Sequence, residues 1–258
     1  MFIRYMSDLH LEFGSPNYIL SPPVMPEDKD TVLVLAGDIG VGTQGIKWAN
    51  TLRPRFRAVI YVLGNHEFYN NKWEVLPNEV IEEAADGGVF VLHPKHPGLN
   101  EVHIQGVNFV GATLWTDMNR SNPLDMLTAR RMMNDFHVIR RHHSKLRPED
   151  VVIQHKKERD ALFAALSRYK GEPTVVVTHH LPSYQVVHPQ YRGDKLNCCY
   201  ATDLDDLLAD VDPVYWFFGH SHLSTDMRIG VTRFLSNPFG YHNLETNPAF
   251  DVAARVEI

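Results

Sequence analysis

Cysteine is almost missing from this sequence. The 258 residues hold two, Cys198 and Cys199, side by side. That excludes a disulfide scaffold and leaves no thiolate set for a cysteine-based zinc site. Long apolar runs are missing too. The longest, such as residues 58–63 and 214–218, fall far short of the roughly 20 residues that a membrane helix needs. Arg4, Asp8 and Glu12 interrupt any secretory hydrophobic segment near the start. A reducing, cytoplasmic location and no membrane partner are therefore expected. Nor is there an excess of positive charge. Lys and Arg total 25 against 31 Asp and Glu, a net charge of −6, which weighs against a general nucleic-acid coat protein. The sequence shows no fixed-period repeat and no low-complexity linker. At this length about three quarters of the unfolded surface is buried on folding, so no covalent staple is required.

What is present is a series of short β-rich runs, each ending in polar residues. Residues 2–6 lead into Ser7-Asp8-Leu9-His10, and residues 31–36 (TVLVLA) into Gly37-Asp38. Residues 58–63 (AVIYVL) lead into Gly64-Asn65-His66-Glu67. Residues 174–178 (TVVVT) lead into His179-His180, and residues 214–218 (VYWFF) into Gly219-His220-Ser221-His222. Near-continuous apolar strands of this kind are buried on both faces. Helices are predicted over 44–52, 72–85, 155–169 and 201–209, with Asp203 and Asp205 early in the last, where carboxylates suit the positive end of the dipole. Residues 102–114 and 227–235 read as hairpins. Strand–helix alternation implies a layered α/β protein. Polar strand ends run from position 8 to 222, so dividing the chain would divide one site, and residues 1–258 are read as a single domain. The stretch 115–160 is the least regular. Within it, residues 130–159 carry nine Lys/Arg and four Asp/Glu, a local balance of +5. It reads as a solvated helical insertion or, alternatively, as a cap offering cations to an anionic substrate.

Fifteen histidines are the unusual feature of the composition. Asp8 and His10 are two apart, as are His220 and His222, so in extended segments each pair would point to one side. Open α/β sheets place their sites at strand carboxyl ends. Five such ends deliver imidazole, carboxylate or amide groups, a set without thiolate. It suits Mn²⁺ or Fe, with Zn²⁺, Ni²⁺ or Co²⁺ also compatible, rather than Cu(I).

The ordered blocks Asp8-x-His10, Gly37-Asp38, Gly64-Asn65-His66-Glu67, His179 and Gly219-His220-Ser221-His222 resemble the calcineurin-like metallophosphoesterase superfamily. The resemblance implies a four-layer αββα sandwich with two mixed sheets and a two-metal site at the strand carboxyl ends. It implies that Asp8, His10 and His222 hold one metal, that Asn65, His179 and His220 hold the other, and that Asp38 bridges them. His66 would stand beside the metals as the catalytic acid. The implied activity is phosphoester hydrolysis, with a hydroxide between two divalent ions attacking phosphorus in line. Glu67 is read either as orienting His66 or as supporting a ligand histidine.

Protein serine/threonine phosphatases of that superfamily follow the Gly-Asp block with a further Asp and an Arg. Here Ile39-Gly40-Val41-Gly42 follow instead. The arginine that would grip a monoester dianion is missing there, as is the Asp that would partner His66. A small-molecule phosphodiesterase, with a nucleotide among the candidate substrates, is the leading expectation. A phosphomonoesterase or a nuclease on the same site is the alternative, and a non-catalytic metal-binding scaffold is the rival from a different class. His180 should point away from His179 by alternation, as a packed or supporting residue. His142, His143 and His155 are read as surface residues. Cys198 and Cys199, placed just before a helix start, are read as buried and structural. Trp115, Tyr69 and Tyr191 are weighed between lining a pocket and ordinary packing. Oligomeric state is left open.

Overall fold

Valine- and isoleucine-rich runs pair side by side into two sheets in the computed structural model, which describes residues 1–94 and 99–258. In the first sheet β1 (Phe2–Met6), β2 (Thr31–Ala36), β3 (Ala58–Val62) and β4 (Phe90–Val91) run parallel in that order. The strand Arg255–Glu257 closes the β1 edge antiparallel. The second sheet holds β5 (Glu101–Ile104), β6 (Val107–Ala112), β7 (Thr174–Thr178), β8 (Tyr215–Phe218), β9 (Thr225–Ile229) and β10 (Thr232–Ser236). Its order is β9-β10-β8-β7-β6-β5, with the four inner strands parallel and both edges antiparallel. The two antiparallel edges are the hairpins expected at 102–114 and 227–235.

Strand alternation then builds the layers. Val32, Val34, Ile60 and Val62 face Phe109, Val175, Val177 and Phe217 of the other sheet in one buried cluster. Their sequence neighbours Leu33, Leu35, Val59 and Tyr61 turn outward onto α1 (Gln44–Leu52) and α2 (Leu76–Gly87) through Ile46, Ala49, Leu52, Val80 and Ala84. On the opposite side Val110, Val176, Trp216 and Phe218 meet Leu162, Ala165 and Leu166. The latter belong to the long helix Pro148–Arg168. Helix, sheet, sheet and helix stack as an αββα sandwich. Each fully buried aliphatic or aromatic side chain contributes about 1.5–3 kcal/mol relative to exposure.

Helix boundaries depart from expectation where polar residues sit on buried faces. The helix expected at 155–169 starts at Pro148, with Asp150 accepting from the Arg147 backbone N–H at 3.1 Å. Its buried stripe runs Val151, Val152, His155, Glu158, Leu162, Ala165. His155 is therefore buried rather than at the surface, and its Nδ1 lies 2.7 Å from the Leu114 carbonyl. His142 and His143 are exposed. The helix expected at 201–209 is reduced to the single turn Asp205–Leu208. Cys198 and Cys199 lie inside a preceding turn, Asn197–Tyr200, as buried free thiols. Among the described residues no helix is long and apolar enough to cross a membrane.

Candidate metal centre

The polar strand ends collect at one end of the sandwich because the backbones there approach very closely. Gly37 sits at φ +84°, and a β-carbon on it would collide with the His179 ring. A β-carbon on Gly64 would collide with the Asp38 carboxylate. No larger residue fits either place. Chain exits are not extended. Asp8, His10, Asp38, His220 and His222 all take left-handed conformations, with φ from 46° to 69°. Such residues each cost on the order of 1 kcal/mol and concentrate at functional sites. Asp8 and His10 thus converge through tight turns, not through the strand alternation first expected, and the same holds for His220 and His222.

All seven expected ligand residues come together. The ligand atoms of Asp8, His10 and His222 form one group, and those of Asp38, His179 and His220 another, each within 4.8 Å. His10 Nε2 lies 3.1 Å from His222 Nε2, which is 3.5 Å from Asp8 Oδ1. On the other side His179 Nε2 is 3.0 Å from Asn65 Oδ1 and 3.3 Å from Asp38 Oδ2. That same Asp38 oxygen is 3.9 Å from His10 Nε2, so one carboxylate reaches both groups.

The hydrogen bonds behind these atoms fix which way each lone pair points. His179 Nδ1 donates to the Ala36 carbonyl at 2.9 Å, and His10 Nδ1 donates to Glu12 at 3.2 Å. Both rings therefore turn Nε2 inward, where a cation could take the place of any proton it carries. Asn65 gives its amide N–H to Asp135 at 2.9 Å, which turns its carbonyl oxygen toward His179. His220 Nε2 is buried with no hydrogen-bond partner. Oxygen and imidazole atoms thus face one another in a buried cluster. Such a set is stable around cations, and its make-up fits divalent transition ions.

Electrostatics agree. Burial alone would raise the Asp38 carboxyl, but the imidazoles of His179, His66 and His10 hold it well below the usual range. Asp8 is likewise lowered against burial, mainly by His222. Burial disfavours a charged His179, yet Asp38 and Asp8 push it up to about 9. Two carboxylates draw positive charge to this spot. His220 is driven well below its ordinary value by burial and by neighbouring imidazoles. His180 is held down at about 3 for the same reasons. The His180 ring does not point away from the site, as alternation suggested. The strand has ended at Thr178, and His180 packs 4.4 Å from the His220 ring.

His66 stands beside these two groups and forms a third with His10 and Asp38, whose ligand atoms also lie within 4.8 Å of one another. Its ring stacks on Tyr69 at 4.0 Å and meets His10 edge-on at 4.4 Å. Its Nδ1 is 3.1 Å from Glu12 Oε1 and its Nε2 is 3.2 Å from the Tyr241 hydroxyl. Burial lowers the affinity of His66 for a proton, but Asp38 and Glu12 outweigh it and the net shift is upward. Glu67 takes neither role expected of it. It is buried and accepts from the Asp38, Ile39 and Gly64 backbone N–H groups and from the Tyr61 hydroxyl, at 2.7–3.0 Å. It ties the Asp38 turn to the Asn65 turn. Burial and nearby Asp38 push its carboxyl up to about 7.

A cleft of about 390 Å³ opens over the cluster, lined by Asp38, Asn65, His66, His220 and His222 at its floor. Tyr69, Tyr191, Tyr200, Tyr241, Met132 and Met133 form much of its wall. Tyr69 and Tyr191 thus line the pocket, whereas Trp115 packs against Phe68, Trp73 and His180. Among the described residues no lysine or arginine lines the cleft. From residues 130–159, Met132, Met133 and Asn134 reach the cleft, while Arg130, Arg131 and Arg140 are exposed outside it. Glu12, Asp135, Tyr200 and Tyr241 are functional neighbours that sequence reasoning missed. Glu12 carried a signal, since it continues the two-residue spacing of Asp8 and His10. Asp135 carried none.

Comparison with known proteins agrees with this geometry. A profile of the calcineurin-like phosphoesterase family matches residues 3–224. The uncharacterised protein L509 of Acanthamoeba polyphaga mimivirus is 25% identical over 280 aligned positions, covering 99% of this chain and 96% of that protein. The acyl-carrier-protein phosphodiesterase PptH of Mycobacterium tuberculosis is 31% identical over 100 positions, covering 36% of this chain and 30% of that protein. The crystal structure of the phosphopantetheinyl hydrolase PptH from Mycobacterium tuberculosis superposes with a TM-score of 0.74 at 19% identity. That match covers 93% of this chain and 89% of the other, and shows a shared fold. Five ordered blocks, an αββα sandwich and two acceptor groups sharing Asp38 lead to one conclusion: the chain belongs to the calcineurin-like phosphoesterase family and is a metal-dependent phosphoesterase.

Proposed function

We propose that the enzyme hydrolyses small phosphodiesters at a two-metal centre. Asp8, His10 and His222 would hold one ion, Asn65, His179 and His220 the other, and Asp38 both. The ions, Mn²⁺ or Fe on the donor set and Zn²⁺, Ni²⁺ or Co²⁺ as alternatives, would neutralise phosphoryl oxygens and lower the pKa of water toward ~7. The protein's own contribution is positional. Asp8 and Asp38 bring two negative charges to a buried floor, so a loaded site would keep a small positive surplus for an anionic ester. Left-handed turns and the Glu67 hydrogen bonds pre-set Asp38 and Asn65. His66 turns Nε2 into the cleft, where it can give a proton to the departing alkoxide as the phosphorus–oxygen bond breaks. Histidine suits that task near neutral pH.

The observation that carries the diester reading is that, among the described residues, no lysine or arginine lines the cleft. A monoester dianion brings one more negative charge than a diester, and no lysine or arginine side chain among them meets it. PptH, which shares the fold, bears the name of a phosphodiesterase, which supports the same reading. We extend it to substrates bearing a nucleotide or a phosphopantetheine arm. The aromatic and methionine wall offers an apolar seat for an organic group. Adjacent free thiols at Cys198 and Cys199 suit a reducing compartment, and we place the enzyme in the cytoplasm. With Mn²⁺, bis(p-nitrophenyl) phosphate should turn over faster than p-nitrophenyl phosphate. A reversed ranking would show a monoesterase. Strongly salt-sensitive cleavage of DNA would show a nuclease.

A further inference from the structure

His66 needs a partner to keep its ring in register, and the loop after Asp38 cannot provide one. That loop runs Ile39-Gly40-Val41-Gly42, and the Ile39 backbone N–H is already taken by Glu67. The group that fills the place comes from elsewhere. Glu12 Oε1 lies 3.1 Å from His66 Nδ1 and 3.2 Å from His10 Nδ1. One carboxylate oxygen thus holds two imidazoles whose rings meet edge-on at 4.4 Å. Its other oxygen, Oε2, is buried and makes no hydrogen bond. Glu12 is the middle residue of the helical turn Leu11–Phe13, which follows His10, itself left-handed at φ 46°.

A carboxylate is an acceptor only, so both Nδ1 atoms must carry hydrogen. The consequence differs for the two rings. For His10 it leaves the Nε2 lone pair aimed at the Asp8, His222 and Asp38 atoms. For His66 it leaves Nε2 aimed at the Tyr241 hydroxyl and the cleft. When protonated His66 gives its Nε2 hydrogen to the leaving oxygen, the neutral ring that remains is the Nδ1–H form. That is the form Glu12 already favours, so no ring flip or proton relocation is needed within the turnover. Water then returns the proton.

We propose that Glu12 is the positioning residue of His66, and that by sharing Oε1 with His10 it couples the orientation of the acid to that of a metal-holding histidine. The inference rests on the reading of His66 as general acid. A partner behind an imidazole is worth about 10- to 100-fold when lost.

The test uses Glu12→Gln, Glu12→Ala and His66→Ala in the full chain. The first readout is the imidazole tautomer in a long-range proton–nitrogen NMR spectrum of metal-free protein. His66 is assigned by its loss in His66→Ala. The native ring should be the Nδ1–H form, and Glu12→Ala should mix in the Nε2–H form. An unchanged tautomer would overturn the proposal. The second readout is kcat of Mn²⁺-loaded enzyme on aryl phosphodiesters with leaving groups from p-nitrophenol to phenol. Glu12→Ala should lose about 10- to 100-fold on the phenol ester and far less on the p-nitrophenol ester, and Glu12→Gln, which keeps an acceptor oxygen, should lose less. In the His66→Ala background Glu12→Ala should add no leaving-group dependence, because the two act as a unit in proton transfer. A loss uniform across leaving groups, accompanied by loss of bound manganese, would mean that Glu12 acts through His10 only and would overturn the coupling to His66. If His66→Ala itself shows no leaving-group dependence, the general-acid reading falls, and the tautomer result alone then decides whether Glu12 positions the ring.

Discussion

Two regions of this molecule bury ionisable side chains, and they do so on opposite terms. At the strand ends Asp8, Asp38, His179 and Glu67 are almost fully buried, yet backbone N–H groups, carbonyls or opposing side chains meet them. Under the helix Pro148–Arg168, His155 and Glu158 are just as buried, yet His155 Nε2 and Glu158 Oε2 have no hydrogen-bond partner. Burial alone raises the Glu158 carboxyl to about 8, with no nearby cation to oppose it. Beside the metal centre the same burial penalty is overridden by neighbouring charge, and Asp38 goes the other way. Asp8 and Asp38 in the first region are held as ions by the imidazoles around them, unlike Glu67, which burial and Asp38 push up to about 7. At the second region Glu158 is a neutral acid.

The largest effect expected from that contrast is at Asp38, the carboxylate shared between the two acceptor groups. Asp38→Ala should lower kcat by at least about 10³-fold, since in the proposed site it would hold both ions. It should also cut bound metal measured by elemental analysis. In metal-free protein the same change should lower thermal stability, because it leaves His179, His10 and the His66 backbone N–H without their buried acceptor. Retained activity with full metal content would mean that Asp38 is structural, and the comparison of regions would fail.

A smaller effect belongs to Asp135, which acts one shell further out. Its Oδ1 accepts from the Asn65 amide and from the Tyr69 hydroxyl, each at 2.9 Å. Without it only a long contact, 3.5 Å to the Tyr69 hydroxyl, is left to set which end of the Asn65 amide faces His179. Asp135→Ala should cost about 10- to 100-fold in metal affinity. Titration of metal into apo protein, followed by calorimetry, checks this, and unchanged affinity would return Asp135 to the role of a core hydrogen-bond acceptor.

Legibility followed the same divide. Asp8, Asp38, Asn65, His179 and His220 could be read because each follows an apolar strand, and strand ends of an open sheet meet at one place. The layers could be read because Val32 and Leu33 alternate between faces as a pleat requires. Glu67 was visible but its task was not. Whether a carboxylate ties two turns together or orients a ring depends on backbone positions tens of residues away. Asp135 was invisible because its partner Asn65 lies 70 residues earlier and nothing local marks it. His155 was misplaced because a polar residue on a helix reads as exposed unless the start of the helix is known. Pro148 at its first turn shifts the buried stripe onto it.

The smallest effect tests the second region alone. Glu158 has a folded pKa of about 8 against an ordinary 4.5. Between those values the folded state binds more protons than the unfolded chain, so stability from this group is complete below pH ~4.5 and falls as pH climbs toward ~8. Glu158→Gln keeps an acceptor for the Gln154 amide, now 2.9 Å from Glu158 Oε1, and removes the titration. The substituted protein should therefore melt close to native at pH 5 and several degrees higher at pH 8, a gap on the order of a few kcal/mol. Comparing the two proteins at each pH, both metal-free, cancels the titration of the strand-end histidines, which they share. Activity of the metal-loaded enzyme should not change, because Glu158 does not line the cleft. A melting difference that stays flat from pH 5 to 8 would mean that Glu158 is ionised in its buried place, and the two regions would then obey one rule instead of two.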